Sequence, residues 1–186
     1  MTLEAYIARE GAHVALGSHG SRHPYFPLLI KLIDAHDDLS MQVHPDDSYA
    51  FEHEGEYGKM EAWYILDAEP GAEIVYGFKE KITREECRRC IEENTLLDVA
   101  QRVKVQSGDV VVIPAGTLHA IGRGIFLAEI QQNSDTTYRV YDYARRGADG
   151  KLRELHVDKA LDVLSFAPLS YDVSRGEKFS IFAEHE

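Results

Sequence analysis

The sequence reads Gly108-Asp-Val-Val-Val-Ile-Pro-Ala-Gly-Thr-Leu-His119 at its most informative point. The apolar run between a glycine turn and a proline predicts a short buried strand. The Pro-Ala-Gly sequence then ends this strand, because proline cannot donate to a sheet ladder. Such a corner would present the His119 imidazole from a fixed position, where a metal ion can bind it.

Three further residues of metal-ligand type stand upstream, at Gln42, His44 and Glu61. Alternate residues of a strand face the same side, so Gln42 and His44 point together. Two imidazoles, a carboxylate and an amide oxygen form a mixed nitrogen and oxygen set, which suits zinc and other late divalent metals. A single histidine or glutamate is more often an ordinary polar residue, so the prediction of a metal site rests on the whole set.

The bulk composition is typical of one globular domain. The 186 residues are enough for a substantial core, and a content of 44% hydrophobic and 28% charged residues is ordinary for such a domain. The net charge of −12 makes nucleic acid and anionic membranes unfavourable partners. An anionic small-molecule substrate would need a local cluster of lysine and arginine against this background.

Nothing in the sequence predicts a membrane span or an exported protein. No stretch approaches the roughly 18 apolar residues of a span, and the N-terminus lacks the basic start and apolar run of a signal peptide. The two cysteines, Cys87 and Cys90, do not form a disulfide framework. These features predict a cytoplasmic location.

Short segments of strand length dominate the chain, separated by glycine and proline. A helix is expected over residues 2–10 and a loop over residues 11–27, and the Thr83-x-x-Glu86 spacing of a capping box begins the strongest helix. Strands are expected at 28–33, 40–44, 61–66, 74–78, 102–106, 109–113, 125–131 and 137–143, with further helices at 47–51 and 156–164. Many short strands and few helices predict an antiparallel sandwich or jelly roll.

Four motifs carry a resemblance to a known family. The first stretch fits the cupin pattern Gly-x5-Pro-x-Gly-x2-His at every fixed position. The other three are Gln42-Val-His-Pro-Asp-Asp47, Gly58-Lys-Met-Glu-Ala-Trp-Tyr64 and Gln131-Gln-Asn-Ser-Asp-Thr-Thr-Tyr-Arg-Val-Tyr-Asp-Tyr143. Together they resemble type I mannose-6-phosphate isomerases, in the shorter bacterial form, from about Phe26 to about Leu164.

The resemblance implies a zinc-dependent enzyme that interconverts mannose 6-phosphate and fructose 6-phosphate. The fold it implies is mainly β, a cupin-type jelly-roll barrel with a few short flanking helices. Residues 1–27 would form an N-terminal helix and loop, and residues 28–186 a single cupin domain with an inserted helical segment around 83–100. One zinc ion per chain would bind to Gln42, His44, Glu61 and His119. The active-site arginine of the family falls on Arg139.

Two residues are candidates for the acid or base that moves a proton between adjacent sugar carbons. Lys59 shares a strand face with Glu61, where a nearby metal dication would favour the neutral amine. Lys59 could equally be a substrate-binding cation. Asp135, four residues before Arg139, is the second candidate. The sequence leaves the choice between Lys59 and Asp135 open.

A phosphorylated substrate needs positive groups, and several are available. Arg139 could clamp a phosphate or stabilise an enediolate, and the structural alternative is an ion pair with Asp135 or Asp142. Further candidates for phosphate contact are Ser40, Arg145 and Arg146. Ser40 lies two residues before Gln42 and therefore shares its strand face.

Two other functions remain as alternatives at this point. The related enzymes are longer at both ends, which leaves open a non-catalytic cupin module that binds sugar phosphates, or a fragment of a longer isomerase. The second alternative is an iron oxygenase, but such enzymes use imidazole-rich ligand sets, and the amide at Gln42 disfavours it. Open strand edges usually need covering, so a homodimer is also expected.

Overall fold

A computed structural model describes residues 1–23, 25–147 and 150–169. The chain is mainly β, with two antiparallel sheets and a few short helices, which confirms the predicted class. The strands are β1 Leu28–Ala35, β2 Met41–Val43, β3 Glu61–Ala68, β4 Glu73–Phe78, β5 Ala100–Lys104, β6 Val110–Ile113, β7 His119–Ile121, β8 Ile125–Gln132 and β9 Tyr138–Tyr141. The helices are α1 Leu3–Glu10, α2 Ala12–Gly20, α3 Asp47–His53, α4 Arg84–Glu92, α5 Leu96–Val99 and α6 Val157–Val163.

The two sheets are built from strands that are distant in the chain. The four-stranded sheet has the order β1-β8-β3-β6, and the five-stranded sheet has the order β5-β4-β7-β2-β9. All the strand pairs within them are antiparallel. The chain therefore crosses repeatedly from one sheet to the other, and residues far apart in sequence meet between the sheets.

One buried core lies between the two sheets. It takes alternate residues from several strands of both sheets, because successive side chains of a strand point to opposite faces. Trp63 and Leu127 are fully buried from the four-stranded sheet, and Ile74 and Ile121 pack against them from the five-stranded sheet. Fully burying a side chain of this size contributes about 1.5–3 kcal/mol.

Helices cover the opposite face of the five-stranded sheet. Met41 and Val140 of the sheet pack in one buried cluster with Cys87 of α4, Leu96 of α5 and Leu161 of α6. This layer packs against one face of β2, β7 and β9, and the other face of these strands points between the sheets. Among the described residues, no helix has both the length and the apolar character needed to cross a membrane.

Two elements are absent from the sequence expectation. Residues 12–20, predicted as loop, form helix α2 with a break at Gly17. The strand β7 is the second, whereas the short helix α5 lies within the helical segment expected around 83–100. The strand β7 matters most, because it begins at His119 and gives that residue a partner strand on each side.

Candidate metal centre

The Pro-Ala-Gly corner between β6 and β7 is tied directly to the end of β2. The Gly116 N–H donates a hydrogen bond to the His44 carbonyl oxygen, at 2.8 Å. Gly116 has a φ of +82°, and a Cβ there would lie 2.8 Å from the Val163 carbonyl oxygen. A side chain at this position would therefore be strained and crowded, which explains the glycine. The corner joins the segments that carry His44 and His119.

Three ligand-type side chains meet between the sheets: His44, Glu61 and His119. They are at most 2% exposed, and their ligand atoms all lie within 4.8 Å of one another. The His44 Nε2 atom is 3.4 Å from Glu61 Oε2, and the His119 Nε2 atom is 3.3 Å from Glu61 Oε1. One carboxylate thus faces both imidazoles, with one oxygen toward each.

Each imidazole is oriented by a hydrogen bond from its far nitrogen. The His44 Nδ1 atom lies 3.0 Å from the Thr136 carbonyl oxygen, and the His119 Nδ1 atom lies 2.9 Å from the Thr117 carbonyl oxygen. A carbonyl oxygen can only accept, so the hydrogen of each neutral ring sits on Nδ1. The Nε2 lone pair of both rings then faces Glu61, which is the arrangement of metal-ligating histidines.

The protonation states of the cluster also suit a metal ion. Burial lowers the pKa of His44 from 6.5 to about 3, and burial lowers the pKa of His119 as well. Burial alone would raise the pKa of Glu61, but the interactions with His119 and His44 outweigh it and hold that pKa well below its usual range. Neutral imidazoles and an ionised carboxylate are the forms that bind metals.

The donor atoms pass a simple test of fit to a divalent metal. Both Glu61 carboxylate oxygens and His119 Nε2 are buried without a hydrogen-bond partner among the described residues. Ligands about 2.0–2.1 Å from a tetrahedral zinc ion lie roughly 3.4 Å apart, and the distances of 3.3 and 3.4 Å from Glu61 to the two imidazoles match this spacing. Buried polar atoms are normally paired, so their number here favours a bound cation.

Lys59 is the cation nearest to the cluster, and it is 4% exposed. Its Nζ atom lies 3.0 Å from Glu61 Oε2 and 3.1 Å from His44 Nε2. The contact with Glu61 is close enough for an ion pair, although it is not aligned as a hydrogen bond. The expectation that Lys59 and Glu61 share one face agrees with this geometry.

Gly58 explains how Lys59 reaches this position. The Lys59 N–H donates to the Pro45 carbonyl oxygen at 3.0 Å, and a Cβ at Gly58 would lie 2.3 Å from the backbone of Asp46. Only glycine allows the two segments to approach this closely. The Gly-Lys-Met-Glu sequence is therefore packed directly against the Gln-Val-His-Pro segment.

Gln42 and Arg139 lie in one row with His119 across the five-stranded sheet. Gln42 pairs with His119 on β7 and with Arg139 on β9. Directly opposed residues of antiparallel strands place their side chains on the same face. Gln42 is therefore beside the cluster, in a position that suits a fourth ligand, and Arg139 is one strand farther along.

Arg139 does not form the structural ion pair considered from sequence. Within the described ranges, no ion pair joins it to Asp135 or Asp142. Its Nη1 atom donates to the Glu154 carbonyl oxygen at 3.1 Å, and its Nε atom is buried without a partner. The guanidinium therefore keeps donors for a ligand.

A cavity of about 450 Å³ opens beside Gln42. Ser40, Arg145 and Arg146, the three predicted phosphate contacts, all line it. Arg153 lines it as well. The volume lies within the usual range for small-molecule sites. The cavity shares Gln42 with the row that leads to His119, so it adjoins the candidate metal centre.

Asp135 is not brought to the centre. It is exposed in the connection between β8 and β9, with no hydrogen bond or ion pair among the described residues. The backbone of its neighbour Thr136 is what reaches the site, through the bond to His44. Of the two candidates for proton transfer, Lys59 is the one that lies beside the cluster.

Sequence reasoning missed several polar residues near the centre. Glu129 is 3% exposed, accepts from Trp63 Nε1 at 3.2 Å and contacts Lys31 Nζ at 3.1 Å. Lys31 also donates to Gln131. The alternation of Glu129 and Gln131 along β8 was a usable signal, because it places both on the inner face. Arg153 carried no such signal, since it lies outside the strands.

Comparisons with known proteins place this site in a family context. A scan against protein-family models finds no match. The mannose-6-phosphate isomerase of Streptococcus mutans is 50% identical over 145 residues, which are 78% of this chain and 46% of that protein. Mannose-6-phosphate isomerase ManA of Bacillus subtilis is 55% identical over 140 residues, which are 75% of this chain and 44% of that protein.

A solved structure gives the same result. The crystal structure of the mannose 6-phosphate isomerase from Bacillus subtilis matches with a TM-score of 0.79 and 43% identity, covering 88% of this chain and 51% of that one. This chain spans about half the length of the relatives it matches. Over most of its length, the chain is homologous to the mannose-6-phosphate isomerases.

Proposed function

We propose that this chain catalyses the metal-dependent interconversion of mannose 6-phosphate and fructose 6-phosphate. The observation that carries the proposal is the buried His44, Glu61 and His119 cluster, whose facing atoms lack hydrogen-bond partners. The names of relatives at 50–55% identity support the choice of substrate. A cytoplasmic location and a homodimer stay predictions.

Zinc is the metal that the donor set suits, with Gln42, His44, Glu61 and His119 as its ligands. Such an ion supplies the positive charge that stabilises negative charge developing on a sugar oxygen. The chain's own contribution is to hold the imidazoles neutral, to keep Glu61 ionised and to exclude water around all three side chains.

The reaction moves protons without any external oxidant or reductant. The C2–H bond of the aldose breaks and its proton passes to a base, a proton is delivered to C1, and the hydroxyl proton of C2 is transferred to the oxygen of C1. We assign the proton transfer at carbon to Lys59, because its amine is buried beside the cluster. In its cationic form, Lys59 would instead orient the substrate.

The arginine-lined cavity beside Gln42 is assigned to the phosphorylated end of the sugar. Arg145 and Arg146 offer guanidinium groups there, Ser40 offers a hydroxyl, and Arg139 lies on the neighbouring strand, paired with Gln42. Guanidinium groups bind phosphate through charge-assisted hydrogen bonds. This local positive charge meets the requirement that a chain of net charge −12 imposes on an anionic substrate.

A coupled assay for fructose 6-phosphate tests the proposal, with zinc-loaded protein and a chelated sample of the same preparation. Turnover is expected only in the zinc-loaded sample. Glu61→Gln should abolish turnover and zinc retention, while Glu80→Gln, at an exposed position, should leave both unchanged. Binding of mannose 6-phosphate without turnover by folded, zinc-loaded protein would favour the non-catalytic binding module instead.

A further inference from the structure

Asp142 is a buried carboxylate, 5% exposed, that immediately follows β9. It binds two arginines at once. Arg145 donates from Nη2 to Oδ1 at 2.7 Å, and Arg153 donates from Nε to Oδ2 at 2.6 Å, with a second contact from Arg153 Nη2 to Oδ1. Both arginines line the cavity beside Gln42, whereas Asp142 is not among its lining residues.

The turn after Asp142 is held in an unfavourable backbone conformation. Tyr143 and Ala144 have φ values of +55° and +52°, a left-handed region that residues other than glycine rarely occupy. Such residues persist only when their surroundings hold them there. Here the Arg145 N–H donates to the Asp142 carbonyl oxygen at 2.9 Å, and the Arg145 side chain returns to the Asp142 carboxylate. The strained turn thus directs Arg145 back toward Asp142.

Asp142 neutralises only part of the positive charge around it. Arg153 and Arg145 both contribute to lowering the pKa of Arg139, after burial, so the three guanidinium groups feel one another. Arg139 has no ion-pair partner among the residues that the structure describes. Arg145 also donates to the Asp38 carbonyl oxygen and lies over the Tyr143 ring, and Arg139 donates to the Glu154 carbonyl oxygen. Three guanidinium groups outnumber the two carboxylates that act on Arg139, Asp142 and Glu154, so the group stays positive.

Some arginine donors remain for a ligand. Arg153 uses Nε and Nη2 for Asp142, and its Nη1 has no partner within the described ranges. Arg139 Nε is buried and unpaired. Long arginine side chains lose considerable rotamer entropy when they are fixed, so a ligand that finds them already held binds more tightly.

We propose that Asp142 is a positioning residue that holds Arg145 and Arg153 as a prearranged pair for the phosphoryl group of the substrate. This inference rests on the proposed function for the identity of the phosphosugar, and it adds Arg153 to the groups that contact it. Asp142 itself, being anionic, does not touch the phosphoryl group. Its effect passes through the two arginines.

Calorimetric titration of zinc-loaded protein with mannose 6-phosphate tests the inference without requiring turnover. Asp142→Asn should weaken binding about tenfold or more, because the two guanidinium groups lose their charged anchor. Asp162→Asn is a matched control, since Asp162 also pairs with an arginine, Arg84, but between α4 and α6. Its dissociation constant should equal that of the wild type.

A second variant distinguishes loss of phosphosugar binding from a folding defect. Arg153→Gln should weaken binding of mannose 6-phosphate in the same way while leaving Asp142 in place. Where turnover is measurable, both variants should raise KM far more than they lower kcat with mannose 6-phosphate. With unphosphorylated mannose as substrate, kcat/KM should stay at the wild-type value, whereas a general structural defect would lower it.

The inference is overturned if either variant binds mannose 6-phosphate as tightly as the wild type. It is also overturned if Asp162→Asn weakens binding equally, or if wild-type protein does not bind the phosphosugar. Wild-type binding without turnover contradicts the proposed function alone, because the comparison of dissociation constants remains valid.

Discussion

The imidazole rings of His44 and His119 are each oriented by a hydrogen bond from Nδ1 to a backbone carbonyl oxygen, which leaves Nε2 to bind a cation. Each ring presents Nε2 to the same carboxylate, Glu61. Because the hydrogen is fixed on Nδ1, neither ring has to rearrange before it binds a cation. The neighbouring amine of Lys59 then lies within reach of whatever occupies the centre.

Replacement of Lys59 by methionine keeps most of the side-chain volume but removes the amine. If Lys59 transfers the proton at carbon, kcat should fall about 100-fold or more, since general acid–base catalysis contributes about 10²–10⁴-fold. Steady-state kinetics on mannose 6-phosphate measures this. Lys81→Met, at an exposed site, serves as the control. A Lys59→Met protein that retains most of its kcat would exclude Lys59 as the base.

Asp142 should make stability depend on acidity. Burial would raise its pKa, but hydrogen bonds from Arg153 and Arg145 outweigh burial and lower the pKa below the ordinary 3.8. The unfolded chain then takes up this proton at a higher pH than the native protein does. The stability contributed by the ionised carboxylate is therefore complete above pH 3.8 and declines as the pH falls through the native pKa.

Urea unfolding of wild type and Asp142→Asn at several pH values checks this dependence. The wild type should be the more stable of the two at neutral pH, and the difference in unfolding free energy should shrink below pH 3.8. A difference that stays constant over this range would contradict the assigned pKa direction.

The sequence could predict the grouping of His44, Glu61 and His119 but not the arginine cluster. Gln42 and His44 share a face because strands have period two, and that needs only local sequence. The pairing of Asp142 with Arg153 depends on how the chain returns after the strained turn at Tyr143, which local sequence does not specify. The spacing of Asp135 from Arg139 made it a candidate for proton transfer, but in the structure Asp135 is exposed in the connection between β8 and β9.

At the scale of elements, helix α4 begins with the capping box that its local sequence predicts. Thr83 Oγ1 accepts from the Glu86 N–H, and the Glu86 carboxylate accepts from the Thr83 N–H, which completes the capping box. This reciprocal pattern is readable from four residues of sequence. Strand β7 is different, because its three residues become a strand only through pairing with β2 and β4.

The cap of α4 should have a measurable effect on stability. Thr83→Ala removes the side-chain acceptor and should lower the free energy of unfolding by about 1 kcal/mol. Thr95→Ala is the matched control, because Thr95 precedes α5 but makes no side-chain capping bond. Urea unfolding of both variants distinguishes them. Equal effects of the two substitutions would show that the cap of α4 does not contribute.

At the scale of the molecule, the four-stranded sheet has two very different faces. Leu127, on β8, is 0% exposed between the sheets. Ile30 and Leu32, on the neighbouring strand β1, are 60% and 69% exposed on the outer face. The strands therefore carry apolar residues on both faces, and only the inner one is buried in the described chain. The homodimer expected from the sequence remains a prediction.

Two alanine substitutions measure this asymmetry. Leu127→Ala should lower the free energy of unfolding by about 2–5 kcal/mol, because it leaves a cavity between the sheets. Leu32→Ala removes the same atoms from the exposed face and should cost less than about 0.5 kcal/mol. Urea unfolding at a low protein concentration compares the two. A large loss for Leu32→Ala would show that the outer face is covered in solution.

The mainly β class was predictable because many short strands with glycine and proline boundaries leave few other architectures. The order of strands in the sheets was not, since it depends on pairing between distant segments. The site formed by β2, β3 and β7 is a consequence of that order. Family resemblance supplied the grouping of ligands that local patterns could only suggest.

The most direct test of the central claim is a zinc titration of metal-stripped protein, with bound zinc and isomerase activity measured on the same samples. Activity on mannose 6-phosphate should be absent at the start, rise with bound zinc and reach its plateau at about one zinc ion per chain, as a single ligand set requires. Full activity in protein verified to be free of metal, or zinc binding undiminished in Glu61→Gln, would contradict it.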